Sequence, residues 1–201
     1  MAHGEGARNA ELTQEQGDAL LWLARETIGR QLGMEAREPE AEIAARLQDP
    51  ELQLKRGTFV TLKEHGELRG CIGSLAAVES IVEGVKRNAL HAAFDDSRFN
   101  PVGKNELAAI EIEISILTEP VSLPYANPED LLRTLRVGVD GVIIRKGVQG
   151  ATFLPQVWEQ LPDPKDFLSH LCHKAGLPVD AWRSGNLDVL TYRVQYFKEH
   201  G

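Results

Sequence analysis

The sequence predicts an α+β fold in which a mainly antiparallel sheet packs against helices. Residues 58–72 alternate apolar and polar side chains on both sides of a Gly-containing turn, which is the pattern of a β-hairpin. Residues 110–116 carry isoleucine at every second position, as expected of a strand with one buried face. Apolar residues three and four positions apart indicate amphipathic helices over three stretches: 13–33, about 78–94 and 164–175.

The first helix has a clear start signal. Thr13 and Gln16 fit a capping box, and Leu20 and Ile28 then fall on one helical face. Residues 1–12 show neither an apolar pattern nor anchoring residues. We therefore expect a flexible N-terminal tail over residues 1–12 and one domain over residues 13–201.

The remaining elements are shorter. The sequence predicts a weak helix within 35–50, a short helix over 129–135, a hairpin turning at Asp140-Gly141, a turn at 147–150, a strand over 151–154 and a final strand over 188–199 that pairs into the main sheet.

Composition limits the function classes. The chain has 201 residues, 42% hydrophobic and 26% charged, which is ordinary for a globular protein. A net charge of −8 argues against general nucleic-acid or anionic-membrane binding. Two cysteines are too few for a disulfide framework, and we find neither a signal peptide nor an apolar run of about 18–20 residues. We expect a cytoplasmic protein with reduced thiols and no membrane association.

The segment Leu68–Ser74 draws attention because its thiol, Cys71, lies between Gly70 and Gly73 and two residues after Arg69. Strict alternation along this strand predicts that Leu68, Gly70 and Ile72 share one face. Arg69 and Cys71 would then share the other face, where the guanidinium could favour a thiolate. Two interpretations stay open, a reactive or ligand-lining thiol and a small buried hydrophobe.

Three other groups bear on the chemistry. His91 and His173 are possible proton partners of the thiol, although spacing cannot show that either reaches it. The loop 95–101 is rich in charge and turn residues, and Arg98 can pair with Asp95 or Asp96, either within a self-satisfied connector or at the wall of a site. Glu111 and Glu113 lie on one side of the same strand, where we expect a solvated face rather than paired-carboxylate chemistry.

A metal site is not predicted, and no cofactor is predicted either. His170, Cys172 and His173 offer three ligand groups within four residues, but on a helix residue 172 points away from the face shared by the two histidines. Cys172 is therefore expected to be a buried packing residue.

The ordered motifs LRGCIGSL, AAFDDSRFNPV, ELAAIEIEISILTEP, GVDGVIIRKG, FLPQVW and FLSHLCHKAGLP resemble those of the AMMECR family, whose bacterial members are called AmmeMemoRadiSam system protein A. The resemblance covers roughly residue 20 to the C-terminus and is that of a bacterial-type member. Two positions differ from the family pattern: Ser74 stands where threonine is common, and His173 fills a variable position.

The resemblance implies a two-lobed single domain with intertwined lobes and the LRGCIG motif near the cleft between them. It also implies association with a Memo-like protein and a radical S-adenosylmethionine protein. The expected function is an enzyme or enzyme component that binds a small anionic or nucleotide-like ligand, and the alternative is a non-catalytic adaptor that binds a peptide of those partners. The resemblance carries over no established reaction. The glycine-flanked thiol beside an arginine makes Cys71 and Asp96 the candidate catalytic residues, with Cys71 as nucleophile or ligand contact and Asp96 either orienting the arginine or moving a proton. The candidate ligand-binding residues are Arg69, Gly70, Gly73, Arg98 and Lys174.

Overall fold

A computed structural model describes residues 11–199, which form two compact units. The first comprises residues 11–119 together with 195–199, and the second comprises residues 120–194. Most of the predicted tail, residues 1–10, lies outside the described residues. Leu12 does not fit a tail, because it is buried and its backbone N–H and C=O are both hydrogen-bonded to the side chain of Gln195. No helix among residues 11–199 has the length and apolar character needed to cross a membrane.

The first unit is a four-stranded sheet with helices packed on one face. The strand order is β2–β1–β3–β8, and β1 pairs antiparallel with both β2 and β3. The elements are helices α1 (Gln14–Gln31), α2 (Ala41–Arg46) and α3 (Ile81–Phe94), a 3₁₀ turn (Pro50–Gln53), and strands β1 (Thr58–Glu64), β2 (Glu67–Ser74), β3 (Ile110–Leu117) and β8 (Val194–Lys198).

The core of this unit confirms the predicted periodicities. The capping box of Thr13 and Gln16 is present at the start of α1. All four alternating isoleucines of β3 are buried. They share one hydrophobic cluster with residues of β1, α1 and α3, among which are Val60, Leu62, Leu20, Ile28, Val85 and Ala89. Burial of this continuous apolar face is the main contribution to the stability of the unit.

The second unit contains a four-stranded sheet of order β4–β7–β5–β6 and its own core. The parallel rings of Trp158 and Phe167 stack with centroids 3.6 Å apart in that core. The elements are β4 (Val121–Ser122), α4 (Pro128–Thr134), β5 (Gly141–Lys146), β6 (Gln149–Phe153), a 3₁₀ turn (Pro155–Glu159), α5 (Pro164–Lys174), a 3₁₀ turn (Ala181–Ser184) and β7 (Asp188–Tyr192). Together the two units confirm the α+β class.

Two predictions for the second half of the chain are wrong. The hairpin does not turn at Asp140-Gly141. The buried carboxylate of Asp140 instead accepts the backbone N–H of Arg136 and closes a local turn, and the β5–β6 hairpin turns at Gly147, which has φ +61°. The final strand is two strands rather than one, because β7 pairs in the second sheet and β8 in the first.

A β-bulge in β2 changes which side chains of the LRGCIG segment share a face, so one part of that prediction is wrong. Leu62 pairs with Gly70 and Lys63 pairs with Leu68, so Arg69 is an extra residue in β2. Because Leu62 and Lys63 point to opposite faces, Leu68 cannot share a face with Gly70, and its side chain is exposed. Because the bulge is at Arg69 itself, strict alternation no longer predicts that the side chains of Arg69 and Cys71 share a face.

The two glycines of the motif lie where a side chain would collide with neighbours. A Cβ at Gly70 would be 2.2 Å from the backbone oxygen of Ala92 in α3, and one at Gly73 would be 2.1 Å from the ring of Phe59. Gly70 therefore lets the last turn of α3 contact the backbone of β2 directly.

We predict that Gly70→Ala destabilises the protein by about 2 kcal/mol, because the obstacle is helix backbone, which cannot rotate away as a side chain can. Gly29→Ala is the matched control. It places its methyl group inside α1 at an ordinary 3.7 Å from Leu107, so unchanged or slightly increased stability is expected. Urea unfolding of both variants measures the difference, and equal midpoints would contradict the packing role of Gly70.

Candidate functional site

The backbone of Cys71 is held by an ion pair from the loop after α3. The Cys71 N–H donates to Asp96 Oδ2 at 2.9 Å, and the Cys71 C=O accepts from Arg98 Nη2 at 3.2 Å. Strand β2 lies at one edge of its sheet. The Asp96–Arg98 ion pair thus supplies the acceptor and donor that a neighbouring strand would otherwise provide.

Asp96 is a buried carboxylate with both oxygens engaged. Its Oδ1 accepts Arg98 Nε at 2.9 Å, and its Oδ2 accepts Arg98 Nη2 at 2.7 Å in addition to the Cys71 N–H. The side-chain hydrogen bonds from Arg98 hold the pKa of Asp96 well below its usual range, against the opposing effect of burial, and backbone donors lower it further. A carboxylate that stays ionised in this way is suited to orienting Arg98 and β2, and poorly suited to carrying a proton at neutral pH.

Arg98 is held by Asp96 and is still largely exposed to solvent. Its side chain is 54% exposed, and its guanidinium carbon lies 5.5 Å from the centroid of the Phe99 ring. The hydrogen bond to Asp96 raises the pKa of Arg98, and the nearby thiol of Cys71 adds a smaller contribution in the same direction. The predicted ion pair of this loop is therefore confirmed, with Asp96 as the partner.

Arg69 is held by a second carboxylate. Its Nε and Nη2 donate to Glu106 at 3.1–3.4 Å, and Glu106 also accepts the backbone N–H of Gly103. That backbone hydrogen bond and the pairing with Arg69 lower the pKa of Glu106. The third nitrogen of the guanidinium, Nη1, is shielded from solvent and has no hydrogen-bond partner among the described residues. Both N–H groups of Arg69 Nη1 are therefore unused.

The two arginines line one surface cavity of about 580 Å³ within the first unit. Its wall is built from β2, the loop after α3 and the turn that precedes β3, and its residues are Arg69, Ser97, Arg98, Phe99, Asn100, Pro101 and Glu106. The charged loop 95–101 thus lines a cavity, and two of its own residues, Asp96 and Arg98, form an ion pair.

The thiol of Cys71 lies on the sheet face opposite α1 and α3. Thr61 Oγ1 donates to Cys71 Sγ at 3.2 Å, and Thr61 pairs directly with Glu113 on β3. Directly paired residues project to the same face, so Cys71, Thr61 and Glu113 form a row across three strands. Cys71 as a residue is half-buried, unlike the fully buried Cys172.

The solvated position predicted for Glu113 is wrong. It is only 9% exposed and forms ion pairs with Lys63 at 3.2 Å and Lys198 at 3.1 Å. Glu111, by contrast, is exposed as expected. The proximity of Lys63 follows from pairing of β1 with β3, whereas Lys198 comes from a strand 85 positions further along the chain and no local pattern indicates it.

The remaining predicted residues have other surroundings. His91 and His173 are both exposed, and among residues 11–199 neither forms a hydrogen bond with Cys71; His91 instead lies 4.0 Å from Asp95. Lys174 belongs to the second unit, where its Nζ donates to the Thr152 C=O at 3.0 Å and lies 5.0 Å from the centroid of Phe153. Cys172 is fully buried, and burial raises the pKa of its thiol, as expected of a packing residue.

The described part of the chain holds no group of three or more histidine, cysteine, aspartate or glutamate residues placed to bind a metal ion. His170, Cys172 and His173 therefore do not form a ligand set with other side chains in residues 11–199.

Comparison with known proteins agrees with these motifs. The AMMECR1 family model matches residues 21–197. The chain belongs to the AMMECR1 family. A protein of Methanopyrus kandleri is 38% identical over 197 residues, which covers 94% of this chain and 91% of that protein. An AMMECR1-family relative from Thermococcus onnurineus is 39% identical over 198 residues, covering 94% and 92% respectively.

The family fold is also found in a solved structure. The crystal structure of an uncharacterized protein from Pyrococcus horikoshii matches this chain with a TM-score of 0.77 and 35% sequence identity, covering 94% of each chain. The family assignment therefore extends over both units described above.

We predict that Asp96→Asn lowers the free energy of unfolding by about 2 kcal/mol at pH 7, because the amide cannot replace a carboxylate that accepts several hydrogen bonds, one of them from a cation. The pKa of Asp96 is depressed in the folded state. Its contribution is therefore fully present above the ordinary Asp pKa of about 3.9 and is lost progressively as the pH falls from that value through the depressed pKa of the folded state, so that part of it is already lost at pH 3. Denaturant titrations at pH 7 and pH 3 measure this.

Asp95→Asn is the control, because the Asp95 side chain is 67% exposed and should contribute little at either pH. A difference between wild type and Asp96→Asn that is as large at pH 3 as at pH 7 would rule out the ionised carboxylate as its source.

Proposed function

We propose that this AMMECR1-family protein is an enzyme or enzyme component that binds a small organic anion in the cavity lined by Arg69 and Arg98. The observation that carries the proposal is a pair of guanidinium groups at one cavity, each fixed by a carboxylate. A guanidinium whose orientation is already set loses little conformational freedom when an anion binds.

The unused donor of Arg69 supports an anionic ligand. A shielded polar group without a partner costs free energy, and a ligand oxygen that accepted a hydrogen bond from Nη1 would recover it. Arg98 provides a second cationic group on the same wall, with more than half of its side chain exposed. Because Asp96 and Glu106 neutralise much of the positive charge, we expect moderate affinity that depends on geometry more than on net charge.

The dimensions and lining of the cavity suit a nucleotide-like ligand. A volume of about 580 Å³ lies within the usual range for small-molecule sites. Phe99 and Pro101 offer apolar surface for a planar ring, while Ser97 and Asn100 offer hydrogen-bonding groups. A phosphate or carboxylate next to Arg69 with a ring beside Phe99 would use both kinds of surface.

The adaptor alternative is less well supported at this strand. A peptide that added to the edge of β2 would need the N–H and C=O of Cys71, and both are already bonded to the Asp96–Arg98 ion pair. We therefore favour a small ligand over a peptide at this site. Association with Memo-like and radical S-adenosylmethionine proteins remains part of the proposal, as proteins that supply or consume that ligand.

Binding of adenosine 5′-monophosphate, adenosine and inorganic phosphate, measured by calorimetry, tests the cavity. We expect the nucleotide to bind more tightly than either fragment, and Arg69→Gln to weaken it about tenfold, which corresponds to about 1.4 kcal/mol. Arg87→Gln is the control, because Arg87 of α3 pairs with Glu79, just before that helix, and does not line the cavity. No binding of any probe at about 5 mM, or equal affinity in Arg69→Gln, would contradict an anion site.

The reactivity of the thiol tests the catalytic role of Cys71 independently of ligand binding. Because Cys71 is half-buried and Cys172 is fully buried with a raised thiol pKa, we predict that a disulfide reagent labels one thiol per native chain. Cys71→Ser should abolish this labelling and Cys172→Ala should leave it in place, as read by mass spectrometry. If the native protein resists labelling until it is unfolded, Cys71 is a packing residue and not a nucleophile.

A further inference from the structure

We propose that the second unit carries an anion-binding site of its own, which takes a carboxylate or phosphate attached to a small apolar body. The site is a cavity of about 470 Å³ formed by α4, the start of α5 and the 3₁₀ turn Ala181–Ser184. Its lining residues are Pro128, Glu129, Leu132, Arg133, Lys165, Trp182 and Arg183.

The charges around this cavity favour an anion. Three cationic side chains line it against one carboxylate, that of Glu129. Arg133 has Asp130 at 3.5 Å, but within residues 11–199 neither Lys165 nor Arg183 has a carboxylate within ion-pair distance. Lys165 and Arg183 are therefore two cations at one cavity that no carboxylate of residues 11–199 pairs directly.

The cation of Arg183 is held in place without a carboxylate. Its guanidinium carbon lies 4.9 Å from the centroid of the Trp182 ring, as in a cation–π contact. The indole is itself fixed, because Trp182 is 3% exposed and its Nε1 donates to Ser169 Oγ at 3.1 Å. Stacking positions the guanidinium while its N–H donors stay available for a planar anion.

The backbone of Lys165 is also fixed while its ammonium is unpaired. Asp163 caps α5 by accepting the Lys165 backbone N–H at 2.7 Å, so the carboxylate of Asp163 is used at the helix start. The ammonium is thus carried on a rigid first turn. Leu132 and Pro128 add apolar surface to the same cavity, which selects an anion that has an apolar body over a free inorganic ion.

A cavity of similar size in the first unit is also lined by a tryptophan and an arginine. It has about 560 Å³ and contains Trp22 and Arg25. Arg25, however, already donates to Glu199 and to the carbonyls of Leu107 and Ile110. Its guanidinium has a structural role, whereas that of Arg183 does not.

Titration of the ¹⁵N-labelled protein with 1-naphthyl phosphate tests the proposal, with the indole N–H signal of Trp182 as the reporter. We expect saturable shifts at this signal, similar shifts with 1-naphthoate, and at least tenfold weaker binding of 1-naphthol and of inorganic phosphate. Arg183→Gln and Lys165→Gln should each weaken naphthyl phosphate binding about tenfold. Arg145→Gln, an exposed cation of β5 that does not line the cavity, should leave it unchanged.

Equal affinity in wild type and in both cavity variants would overturn the proposal, as would the absence of any shift at Trp182 with about 5 mM probe. Tight binding of 1-naphthol would also overturn it, because the site would then be apolar and not anionic. Two separate variants keep the test valid if one of them folds poorly, and Arg69→Gln leaves this cavity intact, so failure here is distinguishable from failure at the first site.

Discussion

The Asp96–Arg98 ion pair on the backbone of Cys71 is the interaction on which the candidate site depends. Burying a carboxylate is costly unless its oxygens are satisfied, and here the donors come from Arg98 and from an edge strand that pairs with no other strand of residues 11–199 on that side. One ion pair thus compensates a buried charge and completes the hydrogen bonding of a strand edge. Both needs are met only if the loop and β2 keep this relative position.

The position of the cavity follows from that constraint. Its wall residues Ser97–Pro101 continue directly from Asp96, so fixing Asp96 on β2 also fixes the wall. Packing of α3 against Gly70 also helps to fix the position of Asp96, because α3 ends at Phe94, two residues before Asp96. Close packing of helix on strand and hydrogen bonding of loop to strand therefore reinforce each other within a few residues.

The sequence predicts structural features that depend on a few neighbouring residues, and it does not predict those that depend on how strands pair. The capping box at Thr13, the hairpin around Gly66 and the buried isoleucines of β3 are written in patterns of a few residues, and the structure has them. The bulge at Arg69 is different, because it depends on how β2 matches β1, and nothing in the alternation of residues 67–72 indicates an extra residue. That single residue reverses the face of Leu68.

In the candidate site, too, contacts between residues close in the sequence are predicted and contacts between distant residues are not. An ion pair between Arg98 and a neighbouring aspartate is expected from their spacing, but its binding to the Cys71 backbone joins residues 25 positions apart. Glu113 is a stronger case, since its alternation with isoleucine is typical of a solvated face. What makes it a buried, doubly paired carboxylate is Lys198 on a strand that local patterns could not place beside β3.

The roles of the LRGCIG residues can now be separated. Gly70 and Gly73 are required by contacts with α3 and Phe59, and the edge of β2 uses only the N–H and C=O of Cys71. Any residue except proline could supply those two backbone groups, so the ion pair with Asp96 and Arg98 does not explain why a thiol stands at position 71. The side chain has a separate setting, half-buried beside Thr61 in a row that ends at Glu113. Packing thus accounts for the glycines of the motif, while the cysteine is the residue whose identity calls for a chemical explanation.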